Sequence, residues 1–339
     1  MRSQLNWIPI MAEIEKEAIE KLAHASTSLM NEMEKSVIGQ TRVIREMLIA
    51  LFSGAHCLIE GVPGLAKTLM IKTLGEVMDL KFSRIQFTPD LMPSDITGTE
   101  IIEENKETGQ RSFRFLKGPI FTNLLLADEI NRTPPKTQAA LLQAMQEYCV
   151  TSGGVNHPLD KPFYVMATQN PVEQEGTYPL PEAQLDRFMF KIFIDYPNET
   201  EEKNIVQMTT GSVGPSPVPV LTREELVQIP SIIRGIPVSD HVIQYAVRLV
   251  RKSRPKNPDS PDFIKEWVSW GAGPRAALYL ILGAKANAIL RGSFSVATLD
   301  VRAVADPVMN HRILTNFNAE AEGKNSRDII HKLLEFVTE

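Results

Sequence analysis

The sequence predicts an α/β domain built on a parallel sheet, followed by an all-helical domain. Three observations carry this. Short apolar runs, His56-Cys57-Leu58-Ile59 and Leu124-Leu125-Leu126-Ala127, read as strands buried on both faces, as a parallel sheet requires. Such strands alternate with stretches of helical periodicity over about 140 residues, which is the order of a βα-repeated sheet. Beyond the turn-rich Gly211-Ser212-Val213-Gly214-Pro215-Ser216-Pro217-Val218-Pro219, the pattern is helical almost throughout.

The elements follow in order. Residues 11–35 place Ile14, Ala18 and Leu22 at helical spacing. Val37-Ile38-Gly39-Gln40 interrupts that pattern, and helix resumes from about Thr41 to Phe52. The strand at His56–Ile59 closes on Glu60-Gly61, and a helix runs from Lys67 to about Val77. Phe82–Phe87 alternates as a strand. Gly98–Lys117 reads as a hairpin around the polar turn Asn105-Lys106-Glu107-Thr108-Gly109. After the Leu124–Ala127 strand come a helix over Lys136–Glu147 and a second hairpin over Val150–Leu159, turning at Gly153-Gly154. Strands follow at Phe163–Thr168 and Met189–Ile194. The later helices are Glu224–Val227, Asp240–Lys252, Ala276–Leu290, Val301–His311 and Arg327–Val337. The divisions are an N-terminal helix over 1–35, an α/β domain over 36–196 and a helical domain over 197–339.

The 339 residues are 43% hydrophobic and 23% charged, ordinary for a globular protein. Net charge is −5 and the pI is near 5.8, which argues against non-specific nucleic-acid binding as the main task. Two cysteines, Cys57 and Cys149, exclude a disulfide framework and a cysteine-rich zinc module. Neither has the His and acid neighbours of a nucleophile. His157, His241 and His311 lack partners at metal-ligand spacing and read as structural. No secretory signal and no membrane-spanning run is legible, so a cytoplasmic protein is expected. Arg248–Lys256 carries five basic residues and no acidic one. It reads as a solvated helix end matched to its dipole, with an acidic partner as the alternative.

The chemistry begins at Glu60-Gly61-Val62-Pro63-Gly64-Leu65-Ala66-Lys67-Thr68, between a strand and a helix. Gly61 and Gly64 let the backbone fold around an anion, with N–H groups and the helix N-terminus aimed at phosphate. Lys67 is placed to reach the β- and γ-phosphates, and Thr68 to ligate Mg²⁺. Leu69 continues the same segment. Ala66 departs from the phosphate-loop pattern, which has Gly there. Its methyl is tolerable if φ is negative and the side chain points away from the phosphates. The plainer alternative is a glycine turn.

Leu124–Ala127 then ends in Asp128-Glu129, where Asp128 suits holding Mg²⁺, directly or through water, and Glu129 the orientation and polarisation of an attacking water. Two residues capping the next element is the alternative. Asn170, in Ala167-Thr168-Gln169-Asn170-Pro171, falls at a strand's C-terminal end, where open α/β sheets bind ligands. By itself it is also a plain Asn-Pro turn.

At this spacing the three motifs resemble the AAA+ ATPases, and the match tightens to the MoxR family. The supporting residues are Gly61–Thr68, Gly118-Pro119-Ile120-Phe121, Asp128-Glu129-Ile130-Asn131-Arg132 and Thr133-Pro134-Pro135-Lys136-Thr137-Gln138. Leu180-Pro181-Glu182-Ala183-Gln184-Leu185-Asp186-Arg187-Phe188 completes them. The family uses Ala before the loop lysine. The resemblance implies a three-layer P-loop NTPase domain with hairpin insertions and a helical lid. It implies ATP and Mg²⁺ as cofactors, with Gly61–Leu69, Val37 and Ile38 around the nucleotide. Asn170 then resembles sensor 1, Arg275 in Gly273-Pro274-Arg275 resembles sensor 2, and Arg187 resembles the arginine finger of a neighbouring subunit. Arg132 competes for that trans role, and an ion pair with Asp186 or another local carboxylate is the plainer reading of Arg187.

Further implied are a homo-oligomeric ring, expected to be a hexamer, and a protein client, with von Willebrand A domain proteins as candidates. Lid motion through Arg275 would act on the client, in chaperone-like maturation or cofactor and metal insertion. Phe113 and Phe115 of the hairpin are partner contacts or hairpin packing. The alternatives are a magnesium-chelatase-like motor, a helicase and a nucleotide-gated scaffold with little turnover.

Overall fold

The computed structural model describes residues 7–104, 111–172, 176–211 and 214–338. Its strands are β1 Cys57–Glu60, β2 Phe82–Gln86, β3 Gly98–Glu104, β4 Arg111–Lys117, β5 Leu124–Asp128, β6 Cys149–Ser152, β7 Val155–Pro158, β8 Tyr164–Gln169, β9 Phe190–Phe193, β10 Val268–Trp270 and β11 Leu314–Thr315. Five of them form the central sheet in the order β2-β5-β8-β1-β9. All four pairings in it are parallel.

Alternation along these strands sorts the core into two layers. Leu124 and Leu126 of β5, Cys57 and Ile59 of β1, and Tyr164 and Met166 of β8 pack on one face. Leu125, Ala127, Leu58, Val165 and Ala167 pack on the other. The first face meets the helices Thr41–Phe52 and Lys67–Val77, the second the helix Pro135–Glu147. Three layers result. The N-terminal helix Trp7–Glu34 joins the first layer through Leu22, Leu29 and Met33.

The first layer also runs on without a break into the helical part. Val242, Tyr245, Leu249, Leu280, Val304 and Leu333 belong to it. The helix Pro274–Leu290 comes close to the sheet at Gly283. A Cβ there would lie 3.2 Å from Met189 Cε and 3.4 Å from Phe190 Cζ, so helix and strand pack in tight contact at this point.

Several elements differ from expectation. The helix expected over Glu224–Val227 runs Arg223–Gly235, straight through Pro230. Proline removes one backbone donor but packs here against the gap left by Gly54, and burial of Ile229 and Ile233 holds the turn. A helix over Glu199–Thr210 is added, with a capping box of Asn198 and Glu201. A short β10–β11 pair interrupts the helical part. Cys149 opens β6. Both expected hairpins form, β3 with β4 and β6 with β7. The turn expected over Asn105–Gly109 lies outside the described residues, as do Ser212 and Val213 of the turn-rich stretch.

Candidate nucleotide site

The first group of expected site residues gathers where the sheet strands end. Gly61 N–H donates to Gln169 O at 3.3 Å, tying the loop after β1 to the end of β8. A Cβ on Gly61 would lie 3.0 Å from Ile194 O, so the loop leaves the sheet through a tight gap against the end of β9. Gly64 has φ 88° and open space where a Cβ would stand. Ala66 has φ 55° and ψ 24°. The negative φ expected for it is not what the fold adopts. The left-handed turn is what brings Lys67 onto the helix axis, and it explains why the general pattern has glycine there. No side chain caps the helix Lys67–Val77, so its first N–H groups are left for an anion.

Lys67 bends back and donates to the carbonyls of Gly61 and, at 3.1 Å, Val62. Burial pulls its pKa below the usual lysine value, while Asp128 and Glu129 pull it back up, which puts both carboxylates within charge range. Asp128 is buried and its Oδ1 accepts the Thr168 hydroxyl at 2.6 Å. Glu129 sits in the left-handed region at φ 57°, its N–H donating to Thr168 Oγ1 at 2.8 Å. Asn170 is buried, its Oδ1 accepting from Val172 N–H, while its Nδ2 has no partner among the described residues. Thr68 and Leu69 occupy the first turn of the helix, Leu69 exposed. Val37 is buried and Ile38 half-buried at the same end, because Gln40 Nε2 donates to Asp195 O at 2.8 Å, next to Ile194. Arg132 lies in cis with this group, donating to Glu129 Oε2 at 2.9 Å.

These residues fit a nucleotide with a divalent cation. An open glycine turn, an uncapped helix end, a half-buried ammonium and an amide donor unpartnered among the described residues converge on one edge. Thr68 and Asp128 offer the hard oxygen donors that Mg²⁺ takes.

The second group is elsewhere. Arg187 and Arg275 line a cavity of about 280 Å³ with Gly54, His56, Tyr148 and Arg234. Gly54 and His56 precede β1, whereas the phosphate loop follows it. The strand's four residues separate the two edges by roughly 13 Å. Arg275, expected to let its own lid feel the γ-phosphate, therefore sits at the wrong edge for that. It donates instead to Asp186 Oδ2 at 3.0 Å. Arg187 donates to Leu142 O at 2.9 Å and, among the described residues, makes no ion pair, so the pairing with Asp186 does not form.

A family model described as "ATPase family associated with various cellular activities (AAA)" matches residues 56–190, and one described as "AAA lid domain" matches 263–333. Chaperone MoxR1 of Mycobacterium tuberculosis is 41% identical over 314 residues, covering 93% of this chain and 82% of that protein. The chain belongs to the MoxR family of AAA+ ATPases. YeaC of Bacillus subtilis, an uncharacterised protein, is 38% identical over 91% of this chain and 92% of its own. A crystal structure of a candidate ATPase from Cytophaga hutchinsonii is 41% identical, covers 97% of this chain and 99% of that one, and has a TM-score of 0.89. The α/β sheet and helical lid are thus those of a chaperone-like AAA+ ATPase.

Within this MoxR-family chain, sequence reasoning passed over three residues that shape the two edges. Arg84 and Gln86 of β2 contact Asp128 and Glu129. Arg312 of the lid, 3% exposed, holds Asp186. Their only signal was a charged or amide side chain inside otherwise apolar or strand-like segments. The hydrophobic hairpin residues split: Phe115 stacks on His157 at 3.9 Å, while Phe113 is exposed opposite Ile102. No helix among the described residues is long and apolar enough to cross a membrane. No cluster of three metal-binding side chains occurs among them.

Proposed function

We propose that this protein hydrolyses ATP with Mg²⁺ at sites shared between neighbouring subunits of a ring, and uses the cycle to remodel a protein client. The observation that carries this is the split of the site. The residues suited to bind and attack ATP, Gly61–Leu69, Asp128, Glu129 and Asn170, lie at one edge of the sheet. The arginines suited to stabilise transferring phosphate, Arg187 and Arg275, lie at the other. One chain cannot bring them together, and a head-to-tail neighbour can.

In this reading Lys67 leaves its two carbonyls for the phosphates, and Asn170 Nδ2 gains an acceptor in the γ-phosphate or lytic water. Glu129 orients that water. Thr68 and Asp128 would hold Mg²⁺, which when bound would supply positive charge against the phosphates. Arg187 and Arg275 both act in trans, which replaces the cis role expected for Arg275. The ring is hexameric and the location cytoplasmic. The client is a protein, of von Willebrand A type by family resemblance, matured or loaded with a cofactor or metal. The chaperone designation of MoxR1 supports a protein client.

Turnover per subunit measured against protein concentration tests this, for wild type, Glu129→Gln and Arg187→Ala. Turnover should rise with concentration and vanish in both variants, which should still bind ATP. A constant rate per subunit, matched by Arg187→Ala, would sink the shared site.

A further inference from the structure

Register pairs Gln86 with Asp128 and Arg84 with Leu126, so β2 lays two polar side chains along the end of β5. Arg84 donates to Asp128 Oδ2 from Nε at 3.1 Å and from Nη2 at 2.6 Å. The same Nη2 donates to Gln86 Oε1 at 2.5 Å. Gln86 Nε2 then donates to Glu129 Oε2 at 2.7 Å. Both carboxylates of the hydrolytic pair are thereby engaged from one edge strand.

Asp128 is 7% exposed, and a carboxylate that deep needs a counter-charge. Arg84 supplies it, with its own side chain still 46% exposed and free to swing out. Thr168 occupies the other oxygen. A divalent cation of the Mg²⁺ type needs carboxylate oxygen at about 2.0–2.1 Å. The oxygen already given to Arg84 cannot serve the metal in that way while the guanidinium stays, and two cations beside one carboxylate repel each other.

We propose that Arg84 is the resident counter-ion of the metal-free site. It competes with the divalent cation for Asp128 until the cation displaces it. Arg84 is a positioning residue, acting through Asp128. The proposal rests on the nucleotide-site reading above. It deepens that reading by naming what sets cation affinity.

The test is Mn²⁺ binding in the presence of ADP, followed by the loss of the free Mn²⁺ electron-spin-resonance signal. Wild type, Arg84→Gln, Arg84→Lys, Gln86→Ala and Asp128→Asn are compared as full chains. Affinity should rise about tenfold in Arg84→Gln, a change of about 1.4 kcal/mol. Arg84→Lys should fall between it and wild type, because an ammonium keeps the charge but loses the two-point grip. Gln86→Ala should match wild type, and Asp128→Asn should weaken binding. Arg84→Lys guards against a misfolded Arg84→Gln, since it keeps a cation beside Asp128. Mn²⁺ bound by wild type with no gain in either Arg84 variant overturns the competition alone. No Mn²⁺ bound by any of the chains overturns the nucleotide-site reading and the competition with it.

Discussion

Arg312 of the lid donates to Asp186 of the α/β domain at 2.7 Å, with only 3% of the Arg312 side chain exposed. The same guanidinium donates to the carbonyls of Asp186 at 2.9 Å and Phe188 at 2.7 Å. It thus fixes both flanks of Arg187. Burial lowers its pKa and Asp186 opposes the shift, as expected for a paired buried cation. Arg312→Met should leave Asp186 with Arg275 alone and strand the carbonyls. Unfolding in denaturant should show a loss of about 3–5 kcal/mol. Arg312→Lys should recover under half of that, because an ammonium cannot span the same acceptors. A loss below about 1 kcal/mol would mean that the clamp is replaceable by packing.

Ala66 holds a left-handed turn that costs an alanine about 1 kcal/mol. Ala66→Gly relieves that strain but frees the unfolded chain, so the two terms nearly offset. Stability should change by less than about 1 kcal/mol, with ATP affinity kept. Ala66→Val should lose stability and ATP binding together, since a β-branched residue tolerates this φ far less. Thermal melts with and without ATP measure both.

Mixing experiments separate cis from trans at Arg275. Lys67→Ala and Arg275→Ala chains should each be inactive alone. Mixed one to one in a head-to-tail ring, roughly a quarter of junctions pair an intact phosphate loop with an intact Arg275 from the neighbour. Turnover should return in that proportion, and Lys67→Ala with Arg187→Ala should behave alike. No recovery with Arg275→Ala, alongside recovery with Arg187→Ala, would return Arg275 to its own chain's nucleotide.

Two buried groups set opposing pH slopes. Burial raises the Glu46 carboxyl from 4.5 to about 7 despite Arg42 at 2.7 Å, with Asp306 pushing the same way and Arg327 against it. Between those values the native state keeps a proton that the unfolded chain has lost, so stability falls as pH rises. His56 is lowered from 6.5 to about 4 by burial. Its Nδ1 accepts from Val165 N–H at 3.0 Å, leaving Nε2 to face Met145 O, so the ring is held neutral. The unfolded chain binds that proton first, so stability falls as pH drops through 6.5 toward 4. Glu46→Gln should therefore unmask a rise in stability from pH 4.5 to 6.5. At pH 7.5 it should gain on the order of 1–3 kcal/mol over wild type. Denaturant unfolding at pH 5, 6 and 7.5 reads this, and parallel curves for the two proteins would refute it.

Much of the nucleotide edge was legible because its geometry is local. Gly61, Gly64, Lys67 and Thr68 are adjacent in the chain, so a strand, a turn and a helix start place them without help from elsewhere. Asp128 closes β5, Glu129 and Asn170 lie one residue beyond β5 and β8, and the parallel register of those neighbouring strands brings the three to one edge. Ala66's positive φ was within reach too, since glycine is the usual residue there for that reason.

Arg84 and Arg275 were not legible in the same way. Arg84 is 44 residues from Asp128, and only the β2–β5 pairing puts them side by side. Arg275 is 89 residues from Asp186, and only the docking of the lid decides which edge of the sheet it faces. The sequence by itself determined the phosphate loop, the acidic pair and the alternation of strand and helix. Those depend on backbone sterics and on spacing along one element. Tertiary structure alone decided which charges meet across elements, because helices of the same pattern can dock on either edge until side-chain volumes such as the gap at Gly283 choose one.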